Sequence, residues 1–130
     1  MKQTYTETPI PGKQAEKILP KGNALVLEGG GTRGFFSAGV FDAFMEAGVM
    51  FPYIIGVSAG AANAVSYISG QIGRNRQIVE RYVGNPKYIS KRNFLFHRSV
   101  FGMNYIFKEI PLKHIFVDWE IFNKHDNFYR

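Results

Sequence analysis

Two kinds of hydrophobic pattern follow each other along the chain. Short apolar runs occupy residues 24–28 and 52–56, and each leads into glycine. Continuous runs of this length are typical of strands buried on both faces, as in a parallel sheet. From Gly34 to Ala47 the apolar residues instead recur every three or four positions, which predicts a helix. Gly48 lies where a glycine commonly ends a helix.

The same pattern repeats after the second run. Residues 59–67 are small and compatible with a helix, which Gly70 is expected to end, and residues 74–82 predict another helix. The order strand, helix, strand, helix predicts an α/β fold with a parallel sheet. Beyond Asn85-Pro86 we expect one or two short helices with irregular connections, and Phe128-Tyr129 could begin a third strand.

The N-terminal segment differs from the rest of the chain. Residues 1–22 are polar and contain three of the six prolines, so we expect a flexible leader before a domain at residues 23–130. The leader lacks the apolar core of a signal peptide, and no stretch of about 18 apolar residues predicts a membrane span. The chain has no cysteine, which fits a reducing cytosol, and we expect a cytoplasmic location.

Charge and aromatic residues are concentrated in the second half of the chain. Residues 70–130 carry the whole net charge of +6, because basic and acidic residues balance in residues 1–69. A basic half favours an anionic partner such as a membrane surface, although it can equally be a solvated basic surface. The aromatic residues of segment 94–122 could contact lipid, but we expect most of them to be core. No nucleic-acid recognition fold is indicated, so no nucleic acid is expected as a partner.

The sequence Gly56-Val57-Ser58-Ala59-Gly60 is a G-x-S-x-G pattern between a predicted strand and a predicted helix. An acyl-transfer serine needs this sharp turn to present its hydroxyl outside the sheet. Its neighbours must be small because the backbone passes close to itself there. The alternative is a plain tight turn, but the strand and helix around it supply the required context, so Ser58 is the candidate nucleophile.

The sequence Gly29-Gly30-Gly31-Thr32-Arg33-Gly34 also lies between a predicted strand and helix. Successive glycines let backbone N–H groups form an anion or oxyanion site, and Arg33 adds a positive charge. The letters also match the dinucleotide fingerprint G-x-G-x-x-G. That interpretation needs an acidic residue at the end of the next strand, and residues 54–56 contain none.

The two loops together are more specific than either one alone. Glu28 with the glycine loop, followed by Gly56-Val57-Ser58-Ala59-Gly60, resembles the patatin-like phospholipase family of the bacterial type. Residues 104–111 extend the similarity more loosely. The resemblance implies part of a three-layer α/β/α fold with a mostly parallel sheet, and a lipid acyl hydrolase with a Ser–Asp dyad that needs no cofactor. Glu28 stands where the family often has aspartate.

The resemblance also implies roles for individual residues. Ser58 is the nucleophile, Gly56 and Gly60 shape its turn, and the substrate is a phospholipid or another acyl-ester lipid. The oxyanion hole would be built by the glycine loop, with Gly30 and Gly31 as the main backbone donors and Arg33 in support. The remaining loop residues of this expectation are Gly29 and Gly34.

The expected dyad aspartate is missing from the sequence. In the family it precedes Gly-Gly or Gly-Ala, whereas Asp42, Asp118 and Asp126 precede other residues. We therefore expect a truncated domain that is inactive or nearly so. His97, His114 and His125 are alternative bases, although a lone histidine in such a region is more often a surface or packing residue.

Other functions stay open at this stage. The glycine loop could serve a non-catalytic lipid- or anion-binding module, or less favourably a Rossmann-like nucleotide-binding domain. No metal site is expected, because no pair of histidine, aspartate or glutamate shows metal-ligand spacing on a recognisable element, and Asp118 and Glu120 would face apart on a helix. A sheet with an uncovered face or edge would also leave the isolated chain marginally stable and prone to association.

Overall fold

The computed structural model describes residues 10–125 and 128–129. The strands are β1 (Lys17–Ile18), β2 (Ala24–Leu27), β3 (Val49–Met50), β4 (Tyr53–Gly56) and β5 (Phe128–Tyr129). The α-helices are α1 (Gly34–Glu46), α2 (Ala59–Ile68), α3 (Arg74–Tyr82), α4 (Lys91–His97) and α5 (Trp119–Phe122). A 3-10 turn spans Gly31–Arg33, and a π-helix spans Tyr105–His114.

The main sheet is parallel and has the order β2-β4-β5. Leu27 at the end of β2 lies opposite Gly56 at the end of β4, so the loops that follow both strands emerge at one edge. The backbone of Phe128–Tyr129 pairs in parallel with β4. The prediction of an α/β fold with a parallel sheet is confirmed, including its third strand.

The predicted helices also form, and glycine ends two of them. Helix α1 stops before Gly48, which has φ 68°, and α2 stops before Gly70, which has φ 64°. Left-handed backbone is accessible to glycine at no steric cost, so each residue ends its helix where the pattern predicts.

The core lies between the main sheet and helices α1 and α2. Leu27 and Ile54 face the helices, and Phe41 of α1 stacks on Tyr67 of α2 with ring centroids 5.5 Å apart. Tyr67 donates its hydroxyl to the carbonyl of Val49 at 2.8 Å, and burial raises the pKa of this phenol to about 12. One face of the sheet therefore carries the hydrophobic core.

The opposite face of the sheet is open in the part of the chain that the structure describes. Val26 is 71% exposed and its register partner Ile55 is 42% exposed. These side chains alternate with the buried Leu27 and Ile54, so they lie on the far side of the pleat. The described residues thus form the sheet and one helix layer of an α/β/α fold. This agrees with the expectation that one face of the sheet is uncovered.

The expected leader contains structure that the pattern does not predict. Strand β1 pairs in parallel with β3, the Lys13 N–H donates to Gly70, and the Gly12 N–H donates to the Asp118 carboxylate at 3.0 Å. Residues 10–18 are therefore hydrogen-bonded to the domain. The boundary at residue 22 stays a prediction, and residues 1–9 lie outside the described part.

The aromatic region after residue 85 differs from expectation in two ways. It holds three helical segments, α4, the π-helix and α5, rather than one or two. The expectation that most of its aromatic residues are core was wrong, because α1 and α2 already cover the sheet and the second buried cluster is small. Tyr105 is buried there, whereas the exposed aromatic side chains include Phe94, Phe101, Phe107, Phe116 and Trp119.

A buried polar network joins this region to the helices. Arg74 is 2% exposed and donates to the Ser66 hydroxyl at 2.9 Å and to the carbonyls of Ile115 at 2.8 Å and Phe116 at 3.3 Å. Burial lowers the pKa of this guanidinium to about 10. A buried charge is tolerated only when its donors are satisfied, so Arg74 fixes the 115–116 segment against α2 and α3.

Asp118 gives a testable consequence of this packing. Its carboxylate caps α5 through the Ile121 N–H at 3.1 Å and also accepts from Gly12, and these bonds lower the pKa of the carboxyl below 3.8. Asp118→Ala is expected to reduce the free energy of unfolding by about 1 kcal/mol at pH 7. The lowered pKa means that this stabilisation is complete above the unfolded-state pKa and is lost as the pH falls through the lower folded-state value.

Urea titrations from pH 7 to pH 2 measure the effect. Glu120→Ala is the matched control, because Glu120 makes an exposed ion pair with Lys124 at 3.2 Å, and such pairs contribute little. The free energies of unfolding of Asp118→Ala and of the parent should converge as the pH falls. A difference between them that stays constant down to pH 2 would contradict the assigned role of the carboxylate.

Candidate active site

Ser58 lies on a strained turn between β4 and α2. Its backbone has φ 51° and ψ −121°, a conformation that residues other than glycine rarely adopt. The residue is exposed. The Val57 N–H donates to Leu27 at 2.9 Å, and the Gly60 N–H donates back to Val57 at 2.9 Å, which fixes both sides of the turn. Such strain costs about 1–3 kcal/mol and is concentrated at functional sites. The turn has the form of a nucleophile elbow.

The two glycines of the elbow are required by close backbone contacts. A Cβ atom on Gly60 would lie 2.7 Å from the carbonyl oxygens of Leu27 and Glu28. A Cβ atom on Gly56 would lie 2.7 Å from the Cα of Ala61. These neighbours are backbone atoms that cannot rotate away, so the predicted need for small residues on both sides of Ser58 has a specific cause.

The glycine loop lies directly beside the elbow. A Cβ atom placed on Gly29 would lie 3.2 Å from the Cβ of Ser58. Gly31 has φ 55° and starts the 3-10 turn that leads into α1 at Gly34. Arg33 folds back over the loop, with its Nε 3.5 Å from the Cβ position of Gly30. The two predicted loops are therefore one site.

The backbone N–H groups at this site are suited to binding an anion or an oxyanion. The N–H groups of Gly30 and Gly31 donate to no acceptor among the described residues. Ala59 is the first residue of α2, so its N–H also lacks a helical acceptor. Amides with these properties, together with the N-terminal end of the α2 dipole, favour negative charge next to Ser58.

Sequence reasoning missed two residues of the site. Ala59 follows Ser58, and in nucleophile elbows the amide at that position contributes to the oxyanion hole. Asn63 donates its side-chain amide to the Gly34 carbonyl at 2.7 Å and so ties the glycine loop to α2. The sequence feature that could have identified Asn63 is a polar amide in a predicted helix of mostly small and apolar residues, about one turn beyond Ser58.

A cavity of about 160 Å³ opens at Ser58. It is lined by Ser58 with Gly31 and Asn63, and its walls are mostly apolar and aromatic. The wall residues include Phe35, Tyr88, Phe101, Met103, Ile106 and Phe107. A mainly apolar cavity with a few convergent polar groups is typical of a small-molecule site.

The described aspartates have other roles. Asp42 accepts from the Gly73 N–H at 3.0 Å, and Asp118 accepts from Gly12 and Ile121. Each carboxylate thus holds the backbone near a helix start, and neither hydrogen-bonds to Ser58. Asp126 lies outside the described residues.

Histidine does not supply a base within the described part of the chain. His114 packs among the rings of Tyr82 and Tyr105, with centroids 5.2 Å and 6.2 Å away, which is the packing role that we considered. His125 lines a different cavity with Tyr53 and Ile54, near the start of β4, whereas Ser58 follows the end of that strand. The side chain of His97 lies outside the described residues.

The described residues contain no group of three or more histidine, cysteine or acidic side chains that could hold a metal ion. None of the described helices is long and apolar enough to cross a membrane.

Comparison with known proteins gives consistent results. A family profile described as Patatin-like phospholipase matches residues 25–125. The chain is 42% identical over 73 residues to the uncharacterized protein YjjU of Escherichia coli K12, a match covering 55% of the chain and 20% of YjjU. It is 34% identical over 103 residues to lysophospholipase NTE1 of Coccidioides immitis, covering 77% of the chain and 6% of that protein. The nte1 lysophospholipase of Aspergillus terreus is 33% identical over 88 residues, covering 65% of the chain and 5% of that protein. No solved structure matches.

Proposed function

The chain belongs to the patatin-like phospholipase family, and on this premise we propose that Ser58 is the nucleophile of a lipid ester hydrolase. The observation that carries the proposal is the strained elbow at Ser58 beside the glycine loop, with an apolar cavity opening between them. A plain tight turn needs neither the cavity nor adjacent amides that lack an acceptor among the described residues.

In the proposed reaction Ser58 Oγ attacks the carbonyl carbon of an acyl ester. The developing oxyanion accepts from the N–H groups of Gly30 and Gly31, with Ala59 as a further donor and Arg33 adding positive charge. The alcohol leaves with a proton, and an acyl-serine remains. Water then attacks the acyl-serine, the fatty acid departs, and Ser58 recovers its proton.

The base that takes the Ser58 proton is not found among the described residues. We assign it to an aspartate before Gly-Gly or Gly-Ala, which the sequence lacks. The described Asp42 and Asp118 are occupied elsewhere. The chain by itself is therefore expected to have weak hydrolytic activity, since a serine without its base keeps only a small part of its reactivity.

The substrate is proposed to be a lipid with a single long acyl chain or a related acyl ester. The relatives from Coccidioides immitis and Aspergillus terreus are both named lysophospholipases, and the cavity walls are aromatic and aliphatic. The matched relatives are much longer than the aligned segment, so the activity and partners of the whole protein remain proposals. A cytoplasmic location, with peripheral membrane contact, also stays a proposal.

Fatty-acid release from lysophosphatidylcholine tests this function in a protein that carries the chain together with the proposed aspartate. We expect release of a free fatty acid, with a higher kcat/KM for long-chain than for acetyl esters of the same alcohol. Phe107→Ser removes part of the apolar wall and should reduce this chain-length preference, whereas Phe36→Ser alters an 82% exposed side chain outside the wall. Equal kcat/KM for both esters in the parent protein would contradict an acyl cavity.

A further inference from the structure

A segment closed by its own hydrogen bonds lies next to the Ser58 cavity. We name residues 89–101 the α4 arm, because this segment begins and ends at the antiparallel bridge between Ile89 and Phe101 and contains α4. The Ser90 hydroxyl caps α4 through the Asn93 N–H at 3.1 Å, and the Ser90 N–H donates to Val100 at 3.1 Å. These bonds give the arm its own closed structure.

The arm exposes large apolar side chains. Phe94 is 60% exposed and Leu95 is 77% exposed, side by side on α4, and Val100 is 44% exposed. Single exposed apolar residues need no explanation, but several large ones on one short segment mark an interaction surface.

The arm continues into the mouth of the cavity. The Phe101 ring at its base lies 3.8 Å from the Cβ position of Gly31 in the glycine loop. Phe101, Met103 and Phe107 line the cavity and are also 39%, 53% and 48% exposed. Phe101 therefore connects the arm to the cavity of the proposed chemistry.

The charge of the same stretch is positive. Residues 91–113 contain five basic residues and a single acidic residue, Glu109, which pairs with Lys87 at 3.9 Å. Among the basic residues, Lys91, Arg98 and Lys108 are exposed. Exposed aromatic and aliphatic side chains among basic ones are suited to the interface of an anionic bilayer, where rings enter the acyl boundary and cations meet phosphates.

We propose that the α4 arm, together with Met103 and Phe107, docks the protein on an anionic lipid bilayer with the Ser58 cavity facing the lipid. The choice of a bilayer rests on the proposed lipid hydrolase function, on the charge of the stretch, and on its continuity with the cavity. A second copy of this chain has the same positive charge on this surface and is less complementary.

Vesicle co-sedimentation of the Ser58→Ala protein tests the proposal without hydrolysis. The vesicles contain phosphatidylcholine alone or an equal mixture with phosphatidylglycerol. We expect preferential binding to the mixed vesicles, which falls as salt is added. Phe94→Ser with Leu95→Ser should weaken partitioning by at least about tenfold, since each side chain loses its apolar contact with lipid. Ile18→Ser is the matched control, because Ile18 is 59% exposed on β1 and lines no part of the Ser58 cavity.

Several outcomes would overturn the docking surface. These are no binding to mixed vesicles, unchanged binding of the Phe94 and Leu95 double variant, or an equal loss with Ile18→Ser. Light scattering compares the oligomeric state of the parent and the double variant. A parent dimer that becomes a monomer in the double variant would assign the surface to a second copy of the chain instead. Circular dichroism checks that each variant is folded. Failure of the hydrolase proposal would appear separately, as ester hydrolysis that survives Ser58→Ala.

Discussion

Ser58→Ala is expected to reduce kcat for ester hydrolysis by about a thousandfold or more, in a protein that carries this chain with the proposed aspartate. The variant lacks the only atom that can form the acyl-serine, while the glycine loop, the cavity and the fold keep their contacts. Lipid binding should therefore change little, and the loss should appear in kcat rather than in KM. Hydrolysis is followed by titrating the fatty acid released.

Ser37→Ala is the control for this substitution. Ser37 lies on α1, is partly buried and does not line the cavity, so removal of its hydroxyl should leave kcat unchanged. Retention of parental kcat in Ser58→Ala would remove Ser58 from the mechanism.

Gly60→Ala is expected to have the second large effect, a loss of about 2–3 kcal/mol in the free energy of unfolding. The new methyl would lie 2.7 Å from two backbone oxygens of residues 27 and 28, where β2 passes under the elbow. Either α2 moves away from β2 or the glycine loop shifts, and both movements separate the oxyanion donors from Ser58. The variant should lose activity along with stability, measured by urea denaturation and ester hydrolysis.

Gly39→Ala provides an unusually close control. Gly39 is also a helical glycine, but it is exposed on α1 and no atom lies within 4 Å of its Cβ position. Alanine there should stabilise the helix by roughly 0.5–1 kcal/mol, because glycine is a poor helix former. If Gly60→Ala were as stable as Gly39→Ala, close packing of β2 against the elbow would be refuted.

Local rules explain why much of the fold and site could be predicted from the sequence. Apolar runs predict β2 and β4, three- or four-residue spacing predicts α1, and small residues predict α2, while glycine predicts the ends of both helices. Because parallel strands place their carboxyl ends at one edge, the glycine loop and Ser58 were expected to meet. The register of Leu27 with Gly56 puts them side by side.

Features that depend on distant partners could not be predicted. Strands β1 and β3 have two residues each, too few for a hydrophobic period, and their pairing joins segments about thirty residues apart. Burial of Arg74 depends on the carbonyls of Ile115 and Phe116, some forty residues away. The expectation that most aromatic residues of segment 94–122 are buried was wrong, because composition does not determine which side chains pack in the core.

The glycine loop had competing explanations in the sequence. A dinucleotide site would need an acidic residue after β4, and that position is occupied by the elbow of Ser58. An anion-binding module without chemistry would use the same loop amides, but it gives no reason for a strained serine at the mouth of an apolar cavity. Reactivity of Ser58 therefore separates the hydrolase from both alternatives.

The most direct test of the central claim is the position at which a fluorophosphonate reacts with the protein that carries this chain and the proposed aspartate. Peptide mass spectrometry after reaction locates the adduct. The account predicts one phosphonyl group on Ser58, formed at a lower rate when Gly60 is replaced by alanine, and none in Ser58→Ala. An adduct on a different residue, or no adduct in a protein that still hydrolyses lysophosphatidylcholine, would contradict the account.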